Sequence, residues 1–511
     1  MRQLSEQDAL FLYSDNAHSN SNVTLLHIYD QSTAPDGKVR FKKILAHVES
    51  RLDRLPLLRK RLLEAPFGLD RPYWVDDEDF NLEYHVRHIA LPKPGDWRQF
   101  CIQASRIHAR PLDRQRPLWE MYVIEGLDSF LDLPHGSFAV LFKIHHAAID
   151  VESSAAAASL LHDFTPTPPA SGPTAPWFPE APPGELSLMT RALFNMALSP
   201  LHNVRPALRA ATTVAPAMFA RFLDLLRHPE HAVVTRFNSA VSPHRVFDTR
   251  RFPLSEIEEV RALAPGASVN DVVFAMCGGA LRRYLGQNGE LPAASLTATT
   301  PLAFHGEKSL SELTWTRLRL GADIDDPVAR LAMICEQTSQ ARSDDADSAY
   351  DLAEAARYAP GASLAATSKM LAYAAAQLGR WAPLANCAVA SLPGPDAPLY
   401  LLGARMTYYS AIMPISDGMG LVFSVTTYDG RAIVSFTSCY ELMPDPENFA
   451  QCLRDEFQDY LALARGKGAA KSANPAAKRP RAVTKPKREK AAEPAVRTAP
   501  KRARAKKESA A

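Results

Sequence analysis

The run His145-His146-Ala147-Ala148-Ile149-Asp150 sets two imidazoles and a carboxylate at the end of an apolar stretch, Ser137 to Ile144. A neutral imidazole, with an ordinary pKa of about 6.5, accepts a proton near neutrality and returns it later. Such a group suits a reaction that activates a hydroxyl. With 15 His in 511 residues, chance supplies roughly 0.4 adjacent pairs, and about 0.03 once an Asp must follow four residues on, so composition alone explains the cluster poorly. If the strand persists to its end, His146 shares a face with Ile144, Phe142 and Val140, while His145 points the other way. Divergent rings, with no Cys or His at ligand spacing downstream, argue against zinc. Asp150 either orients the loop and the ring tautomer or caps a helix beginning at Val151. A buried His pair beside an N-cap Asp is the structural alternative.

Further segments follow a recognisable order. Leu4-Ser5-Glu6-Gln7-Asp8-Ala9-Leu10-Phe11-Leu12-Tyr13 opens the chain, and Pro111-Leu112-Asp113, Pro117-Leu118-Trp119-Glu120 and Ile124-Glu125-Gly126-Leu127 precede the histidines. Val269-Asn270-Asp271-Val272-Val273 and Leu392-Pro393-Gly394-Pro395, with Pro398-Leu399-Tyr400 and Gly403, come after them. Together with the HHxxxD cluster, these segments resemble the bacterial wax ester synthase/acyl-CoA:diacylglycerol acyltransferases, a branch of the CoA-dependent acyltransferases. Each motif is weak alone; five in order across about residues 1 to 460 are strong.

The resemblance implies an α/β fold of two chloramphenicol-acetyltransferase-like sandwich domains with the active site between them. It also implies an acyl-CoA-dependent O-acyltransferase that uses acyl-CoA as co-substrate and no bound cofactor or metal. The acceptor is diacylglycerol, a long-chain fatty alcohol, or both. His146 is then the general base, with His145 and Asp150 completing the catalytic motif. Asn270 is the oxyanion donor and Asp271 its less direct partner, although an Asn at a helix start also reads as an N-cap. Pro117, Leu118, Trp119, Ser391, Pro393, Gly394 and Pro395 are substrate-channel candidates, although a Trp in the company of Pro117 and Leu118 is more often a core anchor than a substrate wall. The chain departs from the family pattern at Val151, where glycine is usual, and at Ser391, where asparagine is. It departs again in Thr300-Pro301-Leu302-Ala303-Phe304-His305, which lacks an expected arginine.

Composition shifts divide the chain into an N-terminal half, 1–164, a linker, 165–236, a C-terminal half, 237–465, and a tail, 466–511. Eight prolines fall between residues 166 and 183, which suits an extended crossover. Leu186 to Arg227 reads as Pro-interrupted helices that either pack between domains or lie in a membrane interface. In the second half, Asp271 to Leu285 reads as a helix. Leu421 to Tyr428 and Ala432 to Phe436, joined through Asp429-Gly430, read as a β-hairpin.

The formal net charge of +2 hides an asymmetry, since the tail from Gly466 carries 15 Lys and Arg against three Glu, leaving the body at −10. The tail is poor in large apolar residues and is expected to be disordered, free to bind anionic lipid or DNA. No apolar run reaches the roughly 18 residues of a membrane span, and the amino terminus lacks a signal-type apolar core. The expectation is a cytoplasmic protein, peripheral at the inner membrane or on lipid inclusions. Six cysteines without CxxC pairing read as reduced core thiols. With no Walker A, Gly-x-Gly-x-x-Gly or Gly-x-Ser-x-Gly sequence, direct acyl transfer remains the simple scheme. The alternatives are a condensation-type acyltransferase of secondary metabolism and a catalytically weak lipid-inclusion scaffold tethered by the tail.

Overall fold

All nine residues of Ser137–His145 are buried, which a strand achieves only when both of its faces are covered. The computed structural model describes residues 1–127, 133–149, 161–167, 176–195, 233–302, 314–343, 383, 385–395 and 397–466. Asp150, Val151, most of the Pro-rich linker, residues 196–232 and the tail from 467 lie outside the described residues. The first half contains β1 (Arg2–Gln3), α1 (Glu6–Ser14), β2 (Asn22–Asp30), α2 (Phe41–Glu49), β3 (Lys60–Leu63), β4 (Tyr73–Asp76), α3 (Leu82–His85), β5 (Val86–Ala90), α4 (Trp97–Ala109), β6 (Trp119–Leu127) and β7 (Ser137–His145). The second contains β8 (Arg245–Pro253), α5 (Leu254–Arg261), α6 (Val269–Gln287), β9 (Thr297–Leu302), β10 (Thr314–Arg319), α7 (Pro327–Ser343), β11 (Cys387–Pro393), β12 (Tyr400–Leu401), β13 (Ala404–Ile412), β14 (Val422–Tyr428), β15 (Arg431–Cys439) and α8 (Pro446–Ala464).

Two six-stranded sheets, in the orders β12-β13-β2-β7-β6-β5 and β10-β9-β11-β14-β15-β8, form two α/β sandwiches beside a small β1-β4-β3 sheet. Period-two alternation builds the first. Leu26, Ile28, Ala139 and Leu141 meet Phe100, Ala104 and Ile107 of α4 on one face. Tyr29, Val140, Phe142 and Ile144 meet Ile44 and Val48 of α2 on the other. Lys143 shares the α4 face and is wholly buried, yet it is satisfied. Its ammonium donates to the carbonyls of Ile107, at 3.1 Å, and Arg110, and pairs with Glu120 at 3.7 Å. It thereby serves the unpaired carbonyls that end α4, and burial pushes its pKa down to about 8.

In the second half the expected helix extends to both sides, Val269–Gln287, because Ser268 rather than Asn270 supplies the N-cap. A side chain at Gly278 would overlap the Leu320 carbonyl, and one at Gly279 the buried Glu456 carboxylate, which pairs with Arg330 and Arg283. The glycine pair leaves room for that ion triad. The expected hairpin forms, β14 pairing with β15 through Asp429 at φ 50° and Gly430 at φ 71°, a left-handed pair that matches strand twist. All six cysteines are free thiols, five of them buried.

Sheet membership crosses the linear division of the chain. β13 belongs to the second half by sequence, yet it pairs with β2 from Arg405↔Asp30 to Ile412↔Thr24 and completes the first sheet. Without it the outer edge of β2 would present unpaired amides and carbonyls. Pro393-Gly394-Pro395 stands where the chain leaves β11 for this crossing. There the Gly394 amide donates to the Thr427 carbonyl at 2.9 Å, and a Cβ would overlap that oxygen and meet the Tyr409 ring at 3.1 Å.

Candidate active site

The strand stops at His145, and His146 opens a 3₁₀ turn, His146–Ala148. Strand alternation therefore fails at its last residue: both rings meet α1 and its C-terminal end rather than opposite faces of a sheet. The His145 amide donates to the Leu118 carbonyl at 3.0 Å, and the His146 amide to the Ser21 carbonyl at 2.8 Å. His145 Nδ1 accepts from the Ala147 amide at 3.1 Å, and its Nε2 lies 3.1 Å from Asp15 Oδ2. An imidazole that accepts at Nδ1 while neutral carries its proton on Nε2, so Asp15 receives that proton's hydrogen bond. Both His145 nitrogens are therefore already committed to hydrogen bonds within the protein.

His146 differs. Its ring stacks on Phe11 at 3.8 Å between centroids, 21° from parallel. Nδ1 is buried and has no hydrogen-bond partner among the described residues. Burial, with His145 beside it, pushes the His146 pKa down to about 4, so the ring is neutral at physiological pH. Burial pushes the Asp15 carboxyl up, but the hydrogen bonds it accepts from His145 and Ser21 outweigh that and leave it below its ordinary value.

The remaining sequence candidates separate into distinct positions. Trp119 is 1% exposed, donates Nε1–H to the Leu58 carbonyl at 2.8 Å and stacks on His85, so it is a core anchor rather than a channel wall. Pro117 and Leu118 are buried beside it, and Leu118 acts through the carbonyl that holds His145. Asn270 is exposed on the first turn of α6, two residues past the Ser268 cap. Asp271 is fully buried, closing a capping box with the Ser268 amide at 2.7 Å and accepting from the Thr338 hydroxyl at 2.8 Å. Its work is to fix the turn that carries Asn270. Ser391 is half-buried on β11 opposite Val425, and Gly394 and Pro395 are half-buried at the crossing, where Pro393 pairs with Thr427. Among the described residues no group of three His, Cys, Asp or Glu is placed to hold a metal ion.

Phe11 enters the sequence reading only as part of the opening motif, and Asp15 and Ser21 not at all. The pairing of β2 with β7, which sets Asn22 opposite His145, is the signal that brings Ser21 and Asp15 near the histidines. Chemically, the assembly offers one neutral ring covered on one face and anchored at its backbone, beside a second ring whose hydrogen bonds are saturated.

Residues 4–273 match the wax ester synthase/diacylglycerol acyltransferase catalytic domain, and residues 312–460 match the WS/DGAT C-terminal domain. A putative diacylglycerol O-acyltransferase of Mycobacterium tuberculosis is 31% identical over 465 residues, covering 89% of this chain and 90% of the relative. The O-acyltransferase WSD of Acinetobacter baylyi is 30% identical over 436 residues, covering 82% and 90%. In fold, the chain is similar to the wax ester synthase/diacylglycerol acyltransferase from Marinobacter aquaeolei, with a TM-score of 0.64 at 24% identity over 91% of this chain and all of that one. It is also similar to a trichothecene 15-O-acetyltransferase from Fusarium sporotrichioides, with a TM-score of 0.55 at 11% identity over 90% and 95%.

Proposed function

The chain belongs to the wax ester synthase/diacylglycerol acyltransferase family and is an acyl-CoA-dependent O-acyltransferase; from that premise we propose that His146 is its general base. The observation that carries this reading is the contrast between the two rings: His145 spends both nitrogens on Ala147 and Asp15, whereas His146 is neutral and committed to no strong partner. His146 removes the proton from the acceptor hydroxyl as that oxygen bonds to the thioester carbonyl carbon. The tetrahedral oxyanion then collapses, the C–S bond breaks, and the imidazolium returns the proton to the departing CoA thiolate. A low pKa makes His146 a weak base but a strong acid toward the thiolate, and a positioned group of this kind supplies about 10² to 10⁴ in rate.

Asn270 is our candidate oxyanion donor, since it is exposed on a turn braced by the Asp271–Thr338 hydrogen bond. Asp150, next to the turn, completes the motif. The acceptors we propose are diacylglycerol and long-chain alcohols, giving triacylglycerol and wax esters. No helix among the described residues is long and apolar enough to cross a membrane. A peripheral station on an anionic lipid surface, reached through the +12 tail, fits water-insoluble acceptors. The test is purified protein with palmitoyl-CoA and, separately, 1-hexadecanol, dioleoylglycerol or a small polar alcohol, alongside His146→Ala. Turnover with the lipid acceptors, lost by about 10² or more in a folded His146→Ala, supports the reading. Turnover with the polar alcohol alone overturns the acceptor assignment, and an active His146→Ala overturns the base.

A further inference from the structure

We propose that Asp15 is a positioning residue for acyl transfer, an acceptor-only clamp that brackets His146 from both sides. The inference rests on His146 as the base. Asp15 Oδ1 accepts from the Ser21 amide at 2.7 Å, and Ser21 in turn offers its carbonyl to the His146 amide at 2.8 Å. Asp15 Oδ2 accepts from His145 Nε2 at 3.1 Å and from Arg114 at 3.3 Å. That acceptance keeps the His145 proton on Nε2 and leaves Nδ1 bare for the Ala147 amide, the residue just after His146. The backbone on both sides of the base therefore depends on one carboxylate that lies 130 residues from His145 in sequence.

The chemistry is specific to a carboxylate. Donors from three residues, Ser21, His145 and Arg114, converge on Asp15, and all are met because an ionised carboxylate only accepts. Asparagine has the same shape but brings an NH₂. If its oxygen faces Ser21, the NH₂ faces His145 and Arg114, donor against donor. His145 then retains a hydrogen bond only by moving its proton to Nδ1, where it opposes the Ala147 amide. If the amide is flipped, the NH₂ faces the Ser21 amide instead. Either arrangement loosens one side of the turn. Phe11, one helical turn before Asp15 on α1, covers the His146 ring, so this short segment sets both the backbone and the face of the base.

The experiment uses the full-length chain, palmitoyl-CoA and whichever of 1-hexadecanol or dioleoylglycerol turns over faster. Asp15→Asn should lower kcat by about 10- to 100-fold, as a misplacement near an ångström does. KM for palmitoyl-CoA should stay within about twofold. Asp15→Glu, the wrong length but acceptor-only, should recover part of the lost kcat. In a His146→Ala background, Asp15→Asn should cause no further loss, since residues acting as one unit are not additive. Wild-type kcat in Asp15→Asn, a loss confined to KM, an Asn variant more active than Glu, or an additive loss in the double variant each overturns the proposal. If Asp15→Asn does not fold, His145→Gln, which leaves Asp15 in place, is read for the same kcat-against-KM split, and wild-type kcat there overturns it. A fully active His146→Ala is a different failure, that of the base assignment itself.

Discussion

Lowering the pH from 8 to 6 isolates the proton acceptor. With a pKa of about 4, His146 is about 99% unprotonated at pH 6 and unchanged in practice from pH 8. An imidazole at the ordinary value near 6.5 would be only about 24% unprotonated at pH 6, a fourfold loss of competent enzyme. Since kcat/KM reports the base of the free enzyme, its profile for palmitoyl-CoA should be flat from pH 8 to 6, with an acid limb only near pH 4. Enzyme is best jumped into each buffer from a stock at pH 7.5. Burial also holds His27, His47, His85 and His108 below their ordinary pKa. The unfolded chain takes up protons near pH 6.5 that the folded chain refuses, so stability present above pH 6.5 declines as pH falls, by up to about 1.4 kcal/mol per unit for each such His. Circular dichroism on the same samples separates unfolding from protonation. A fourfold drop centred near pH 6.5 in a protein whose dichroism is unchanged would refute the half-buried, neutral base.

Three further outcomes follow from the geometry. Phe11→Ala admits water to one face of the His146 ring, so the acid limb of kcat/KM should move up from about 4 toward 6.5, and an unmoved limb means the stack does not contribute to the burial. Asp271→Ala removes the capping-box acceptor and the tie to Thr338, which should lower stability by about 1–3 kcal/mol in urea melts; an unchanged midpoint would show that Ser268 alone holds the turn. Truncation after Arg465 should leave specific activity in detergent nearly intact while abolishing salt-sensitive binding to anionic vesicles or DNA, and a loss of transfer in detergent would place the tail in the catalytic fold.

What was legible in the sequence was local. The Asp429-Gly430 hairpin and the end of β7 at the histidines follow from turn chemistry and period-two patterning over a few residues. Ser268-Val269-Asn270-Asp271 was equally readable as a capping box, and taking Asn270 as the cap missed that an acid three residues after a serine closes the pair. Trp119 was ambiguous because a large aromatic serves a core and a channel alike until its indole partner, the Leu58 carbonyl, is known. Asp15 and β13 were out of reach. Each acts on a residue more than a hundred positions away, and no periodicity in a single segment reports what another segment places beside it.

The borrowed strand has a consequence during synthesis. β2 ends at Asp30 and its outer partner β13 ends at Ile412, so roughly 380 residues are made before that edge is paired. At about 5–20 residues per second this takes about 20 to 75 s on the ribosome. Throughout that interval the nascent chain shows an open strand edge whose residues are mostly apolar, an invitation to pair with another copy. Slow translation, high expression or a stop before β13 should thus favour aggregation of the amino-terminal half. A separately supplied carboxy-terminal fragment bearing β13 is the natural partner to rescue it.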